Sequence, residues 1–469
     1  MILVFITFIY LIGYLTSINE LYFLSGAVLM FGGLILYWAF YKKSGMILCP
    51  AALFSVAWIC GQGISCLKLS KLQVPWENKT WICFYVISIF FFASYELFDA
   101  LLRKRCPLFI RKSMDKKNNL DSLQLTYRVK AVKQVMYITA AISVTAFVIE
   151  ACLLGYIPLF TVDTPHAYSY FHISGVHYFT VSCVLLPSLA VIYINELYQF
   201  NKHELSGKYL YIEVLKTGKA AVFMFLLGLV LPILLVSRFQ MLFGIILAAF
   251  TFLLIRGGKF SDFINKRTLP LIISGFAFIV LIYVFITIER AHSVEYLNGI
   301  FEMKNSNMPI WITQPYIYIA NNFDNFNCLV RDLPEYAKGL RMLFPFFALT
   351  GLKFVFPELT AFPLYVTKTE LTTVTLFYDA YYDFGIIGCA LFATLLGIVL
   401  SILAFLIKQV YLEDMDINPI LYLIAAQLLF YCMFAFFTTW YSNPTTWFYL
   451  IFSLMICLYT SFYMKMKSR

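Results

Sequence analysis

Tyr378-Asp379-Ala380-Tyr381-Tyr382-Asp383-Phe384-Gly385 closes the one long polar stretch of this chain, residues 289–384, and leads straight into an apolar run over 385–407. The stretch opens with Glu289, Arg290 and His292 and carries Arg331 and Arg341. Nearly everything outside it alternates between short connections and apolar runs of about 20 residues, the length a helix needs to cross a bilayer.

Composition agrees with that pattern. With 61% hydrophobic and 13% charged residues in 469, and a mean hydropathy of +0.80, the chain has too few polar side chains to cover a soluble globule. The expected fold is an all-α polytopic membrane protein, a single membrane domain over residues 1–469. Twelve transmembrane helices can be placed, at 2–16, 22–41, 46–66, 80–102, 133–152, 176–198, 219–236, 239–256, 269–288, 385–407, 417–438 and 445–464. Residues 289–384 then form a long loop between spans 9 and 10. The N-terminal run lacks a basic leader and a small-residue cleavage site, so it reads as the first span and not as a signal peptide.

The net charge of +10 does not point to nucleic acid, because the basic residues sit in short loops between apolar runs, as topology signals do. Placing most of the 35 Lys and Arg on one side makes both termini cytoplasmic and the long loop extracytoplasmic. The short outer loops carry few basic residues, namely Lys68, Lys71 and Lys79. Residues 103–130 read as a solvated basic linker near anionic headgroups. Most of the eleven cysteines lie in apolar runs, which argues against a disulfide framework or a spaced metal set. His166, His172 and His177 lack a helical metal spacing, so no metal site is expected. A P-loop, a dinucleotide fingerprint, a nucleophile elbow and a kinase motif set are all missing, and no cofactor is expected.

Inside the long loop, Ile312, Tyr316, Ile319, Phe323, Phe326 and Val330 recur at helical spacing, while Asn321, Asn322, Asp324 and Asn325 fall on the other side. That pattern predicts an amphipathic helix near 312–332, lying on the membrane or capping the bundle with its Asn and Asp face toward water or a sugar. A second apolar piece, 342–352, is too short to span and reads as interfacial or re-entrant.

Arg238 is the sharpest single residue. It lies in Leu231-Pro232-Ile233-Leu234-Leu235-Val236-Ser237-Arg238-Phe239, between two apolar segments with almost no loop. A guanidinium there is costly unless it faces a cavity or meets an anion; the alternative is a snorkelling topological charge. Arg290, Arg331 and Arg341 could grip phosphate oxygens with a planar fork, or serve as ordinary interfacial and solvated charges. For acid or base work the candidates are His292, Glu370, Asp379 and Asp383. Asp379 and Asp383 stand four apart, so a helix would put them on one face, where they could share a hydroxyl or simply belong to an interfacial turn.

The chain resembles the Wzy-type oligosaccharide repeat-unit polymerases, which make O-antigen and capsule. The resemblance covers most of the chain and rests on the order and placement of Gly155-Tyr156-Ile157-Pro158-Leu159-Phe160, Ser237-Arg238 before a span, Tyr316 to Asp332, and Asp383-Phe384-Gly385-Ile386-Ile387-Gly388. It implies a metal-independent, inverting, GT-C-like glycosyltransferase of the bacterial cytoplasmic membrane. Such an enzyme takes a glycan from an undecaprenyl diphosphate carrier and joins its reducing end to a new lipid-linked repeat unit. The family's diphosphate-holding arginines carry over onto Arg238, Arg290, Arg331 and Arg341, while Asn322 and Asp324 are candidate substrate contacts from the polar face of the amphipathic helix alone. Partners so implied are the lipid-linked oligosaccharides, the bilayer, a chain-length regulator and a flippase. Related ligases place a His where this chain has Thr373, which leaves the base unassigned and favours polymerase over ligase. A lipid-linked oligosaccharide flippase is the alternative function.

Overall fold

The computed structural model describes residues 1–105, 122–161, 170–202, 205, 207–257, 298–412 and 417–467. Among these the chain is helical; the one extended pairing is an isolated bridge between Ser70 and Met303. In chain order the principal helices are α1 (Ile2–Ile18), α2 (Tyr22–Ser44), α3 (Pro50–Cys66), α4 (Asn78–Arg105), α5 (Ser122–Leu154), α6 (Val176–Lys202), α7 (Lys219–Leu234), α8 (Arg238–Ile255), α9 (Ile310–Asp332), α10 (Tyr378–Leu412), α11 (Ile420–Met433) and α12 (Pro444–Lys467). Seven of these (α2, α4, α5, α6, α8, α10 and α12) are long and apolar enough to cross a membrane, whereas α1, α3, α7 and α11 are apolar but shorter. Each predicted span falls on one of those helices except 269–288, which lies outside the described residues.

The chain divides into two compact units, Met1–Lys112 with His292–Gln409 and Tyr431–Trp447, and Ser113–Ala291 with Val410–Phe430 and Phe448–Arg469. The first is built around aromatic rings. Trp58 of α3 is fully buried, with ring centroids of Phe377 at 4.8 Å, Phe323 at 5.4 Å and Phe84 at 5.7 Å. These tilted and edge-to-face pairs each contribute about 0.5–1.5 kcal/mol beyond area burial and fix α3, α4, α9 and the start of α10 against one another. Mid-way, α3 widens into a π turn at Ser55–Cys60, where the Cys60 thiol donates to the Met30 carbonyl (3.2 Å).

Helix α9 corrects the sequence reading. The helix is present, from Ile310 to Asp332, but it is not a surface cap: every residue from Ala320 to Val330 is buried, Asn322 and Asp324 included. Its polar face is buried because the segments around it lack secondary structure of their own and need side chains to satisfy their backbone. Asn325 donates to the carbonyls of Leu371 and Thr373 (both 2.7 Å) and accepts from Thr367 N (2.8 Å). Asn321 accepts from the Thr367 hydroxyl (2.7 Å), and Asn327 accepts from Glu77 N (2.9 Å) and the Thr80 hydroxyl (2.7 Å). The apolar piece after Arg341 forms two short helices, Phe344–Leu349 and Leu352–Val355, which leave Phe346, Phe354 and Val355 exposed.

In the second unit α5 and α6 run antiparallel. Arg128 pairs with Glu196 (2.8 Å) near one end, the Ser143 and Ser182 hydroxyls meet mid-way (2.9 Å), and Glu150 meets His177 near the other. Helices α7 and α8 form a tight hairpin: Ser237 N donates to the Pro232 carbonyl (2.9 Å), and Val236 takes φ +55°. A β-branched residue in the left-handed region is strained by about 1–3 kcal/mol, and such strain persists only where packing imposes it. Arg238 opens α8 directly after this turn.

Candidate functional site

Residues 378–388 form the site in the first unit, and the two glycines among them, Gly385 and Gly388, explain the local fold. Gly385 breaks α10 with φ 62° and ψ −143°, a region reserved for glycine, and an added Cβ would lie 2.6 Å from the Tyr336 hydroxyl. At Gly388 a Cβ would collide with the Ala380 carbonyl one helical break earlier. The kink releases the Tyr382 and Asp383 carbonyls from the helical ladder, and they accept instead from Ala337 N (3.0 Å) and Lys338 N (3.2 Å). Residues 336–342 are thereby laid across the head of α10.

Asp383, fully buried, accepts from the backbone N–H groups of Arg341 (3.1 Å) and Met342 (2.8 Å), one on each carboxylate oxygen. Asp379, one helical turn earlier, accepts from the Arg341 side chain through Nε (2.8 Å) and a terminal nitrogen (2.6 Å). The two carboxylates do share one face, as their spacing predicts, and both act on the same residue: Asp383 fixes its backbone and Asp379 its guanidinium. The guanidinium also lies 4.9 Å from the Tyr382 ring centroid and 6.0 Å from that of Tyr378, within cation–π range. The Tyr378 hydroxyl donates to the Tyr365 carbonyl (2.9 Å) and the Tyr382 hydroxyl to that of Pro363 (3.2 Å), which hold the 363–365 segment beside the arginine.

Arg341 and Asp379 line a cavity of about 400 Å³ together with Phe362, Thr439, Ser442 and Asn443. It offers a fixed cation, hydroxyl and amide groups, and an aromatic face, a combination that suits a polar ligand bearing an anion. Thr439, Ser442 and Asn443 escaped the sequence reading, which treated them as a connection between two spans. Their signal was the polar run Thr438-Thr439 to Ser442-Asn443-Pro444 inside an otherwise apolar stretch.

The other predicted residues lie elsewhere. Asp324 stands in a closed cage: its oxygens accept from Lys68 Nζ (2.5 Å), Gln73 Nε2 (2.6 Å), Trp76 Nε1 (2.8 Å) and the Ser65 hydroxyl (3.1 Å). Asn322 donates to the carbonyls of Tyr318 (2.6 Å) and Phe436 (2.8 Å). Both are buried and bonded within the unit, Asp324 through four donors and Asn322 through its amide nitrogen, whereas the Asn322 amide oxygen has no hydrogen-bond partner among the described residues. Arg331 forms an exposed bidentate pair with Asp332 (2.7 and 2.9 Å), whose carboxyl that hydrogen bond holds below the usual range. Arg238 belongs to the second unit and is 9% exposed. Arg290 and His292 lie outside the described residues. Among the described residues no three His, Cys, Asp or Glu side chains are grouped as a metal site requires.

No protein family, no curated protein and no solved structure matches this chain.

Proposed function

We propose that this protein joins undecaprenyl-diphosphate-linked oligosaccharide repeat units into O-antigen or capsular polysaccharide, by inverting glycosyl transfer at the outer face of a bacterial cytoplasmic membrane. In this reading all twelve predicted segments cross the bilayer, both termini are cytoplasmic and residues 289–384 lie outside. A flippase supplies the units and a chain-length regulator limits the product.

The observation that carries the reading is Arg341, locked by Asp379 and Asp383 at a cavity lined by Thr439, Ser442 and Asn443. Transfer from a lipid diphosphate expels a diphosphate anion. Fixed cations that meet the developing charge lower the barrier without reorganising in the step itself. Arg341 is preorganised to meet that charge, since Asp379 and the two tyrosine rings set its plane before any ligand arrives. The hydroxyl and amide groups suit sugar hydroxyls, and the Phe362 face suits the apolar face of a pyranose. In the second unit, Arg238 opens α8 after the strained turn at Val236, and the resemblance assigns it to phosphate.

A deletion strain tests the reading. Surface polysaccharide reduced to single capped repeats supports a polymerase; loss of every repeat from the outer leaflet instead identifies a transporter of the same lipid-linked units.

A further inference from the structure

The reaction needs a group to take the proton from the acceptor hydroxyl, and the two carboxylates beside Arg341 differ in what they leave open. Asp383 is fully buried, and each of its oxygens holds a backbone N–H, of Arg341 (3.1 Å) and of Met342 (2.8 Å). Asp379 is engaged on one oxygen only. The Arg341 Nε (2.8 Å) and the terminal nitrogen Nη2 (2.6 Å) both end on Asp379 Oδ1. Oδ2 accepts no hydrogen bond among the described residues, yet it is not among their buried orphan atoms. Since Asp379 lines the cavity, that oxygen opens onto it. The guanidinium is arranged likewise: Nη1 has no acceptor among the described residues, it is not a buried orphan, and Arg341 lines the same cavity. The ion pair therefore turns one basic oxygen and one N–H₂ group toward a single space, shared with Phe362, Thr439 and Asn443.

Pairing with a cation weakens a carboxylate as a base at rest, but here it couples the two ends of the displacement. Before reaction the pair is neutral. A proton arriving on Oδ2 neutralises the carboxyl and leaves the guanidinium charge uncompensated, at the moment when the departing diphosphate gains a negative charge. The new anion takes over from Asp379 as the counter-charge of Arg341. The arginine keeps its place meanwhile, because Asp383 grips its backbone and the Tyr382 ring, 4.9 Å from the guanidinium, holds its plane.

We propose that Asp379, through Oδ2, is the general base of the transfer; this rests on the polymerase reading above. Oδ2 takes the proton of the acceptor hydroxyl as the hydroxyl oxygen forms the new bond to the anomeric carbon. The bond from that carbon to the diphosphate oxygen breaks, and its electron pair leaves with the lipid diphosphate. The protonated carboxyl then gives its proton to water.

The test uses the purified full-length protein in lipid nanodiscs with undecaprenyl-diphosphate-linked repeat units, and scores both polymer and released undecaprenyl diphosphate. Asp379→Asn keeps an oxygen for the guanidinium and removes the basic one, so polymer synthesis should fall about 100-fold or more. Azide is a nucleophile that needs no deprotonation. Added to Asp379→Asn, it should restore release of the lipid diphosphate to at least about a tenth of the wild-type rate, with an anomerically inverted glycosyl azide as product. A residue that only positions Arg341 would leave that release as low with azide as without it. Polymer synthesis by Asp379→Asn within a few-fold of wild type overturns the proposal. So does a loss that azide leaves unchanged while the variant elutes as the wild type does. If Asp379→Asn does not fold, the wild type decides: dicyclohexylcarbodiimide should attach to Asp379, located by peptide mass spectrometry, and the lipid-linked units should protect it. An Asp379 that stays unlabelled, or is labelled equally with and without those units, overturns the proposal. A wild-type protein that joins no units overturns the polymerase reading itself, whereas a wild type that joins them beside an equally active Asp379→Asn overturns only the base.

Discussion

Replacing Asp324 by Asn should destabilise the protein severely without acting on the chemistry. Lys68 and Asp324 are 4% and 1% exposed and 2.5 Å apart, and Lys68 also lies 4.7 Å from the Trp76 ring centroid. An amide at 324 keeps the shape but leaves the Lys68 ammonium buried without its countercharge. Breaking a buried pair from one side costs about 3–5 kcal/mol. The four donors that converge on the carboxylate put this site toward the upper part of that range, since one of them would now face the amide N–H₂ group. Removing the stranded charge as well, as Lys68→Met with Asp324→Asn, should recover a large part of the loss, because an apolar stem of similar length packs against Trp76 without needing a partner. The assay is thermal unfolding of wild type, both single variants and the double variant in one detergent, alongside polymer synthesis per folded molecule. Refutation would come from Asp324→Asn melting with the wild type while its turnover collapses, since that pattern belongs to a substrate contact and not to a structural cage.

The kink, the arginines and the cavity each carry a further prediction. Gly385→Ala forces a side chain into a backbone region closed to it and against Tyr336, so it should cost about 1–3 kcal/mol, with Tyr336→Ala in the same chain relieving the contact but not the backbone strain; the unfolding midpoints of the two variants check this. Arg341→Lys keeps the charge but loses the planar fork held by Asp379, and kcat/KM should fall at least about 10-fold, whereas Arg331→Ala, which removes an exposed pair with Asp332, should stay within a few-fold. Arg238→Ala should accumulate single repeats on the lipid carrier in cells, seen by mass spectrometry of extracted lipids. Ser442→Trp should fill the cavity and raise KM, and because Ser442 is buried against Met342 it should also lower the unfolding midpoint.

The apolar runs were legible because a segment of spanning length has few alternatives to a helix, and the described helices fall on them. The break at Gly385 was legible only as a motif; its cause, Tyr336 packed over a backbone that needs positive φ, is a contact between distant parts of the chain. The shared face of Asp379 and Asp383 followed from spacing, but nothing local says that both serve Arg341, about 40 residues away. The polar face of α9 misled because a stripe of Asn and Asp reads the same whether it meets water or loop backbone. Lys68 carried a hint, as one of few basic residues in its group of short loops, that a buried acid was waiting for it. Glu150 carried another: a carboxylate within an apolar run calls for a partner, and its partner is a histidine whose spacing in the sequence speaks only against metal binding.

The central claim is tested most directly by the purified full-length protein mixed with undecaprenyl-diphosphate-linked repeat units in nanodiscs, with a chelator present. The account predicts a ladder of lipid-linked products spaced by one repeat unit, with undecaprenyl diphosphate released for each bond formed. A mixture that stays at single units, while the same protein in vesicles moves those units across the bilayer, would contradict it.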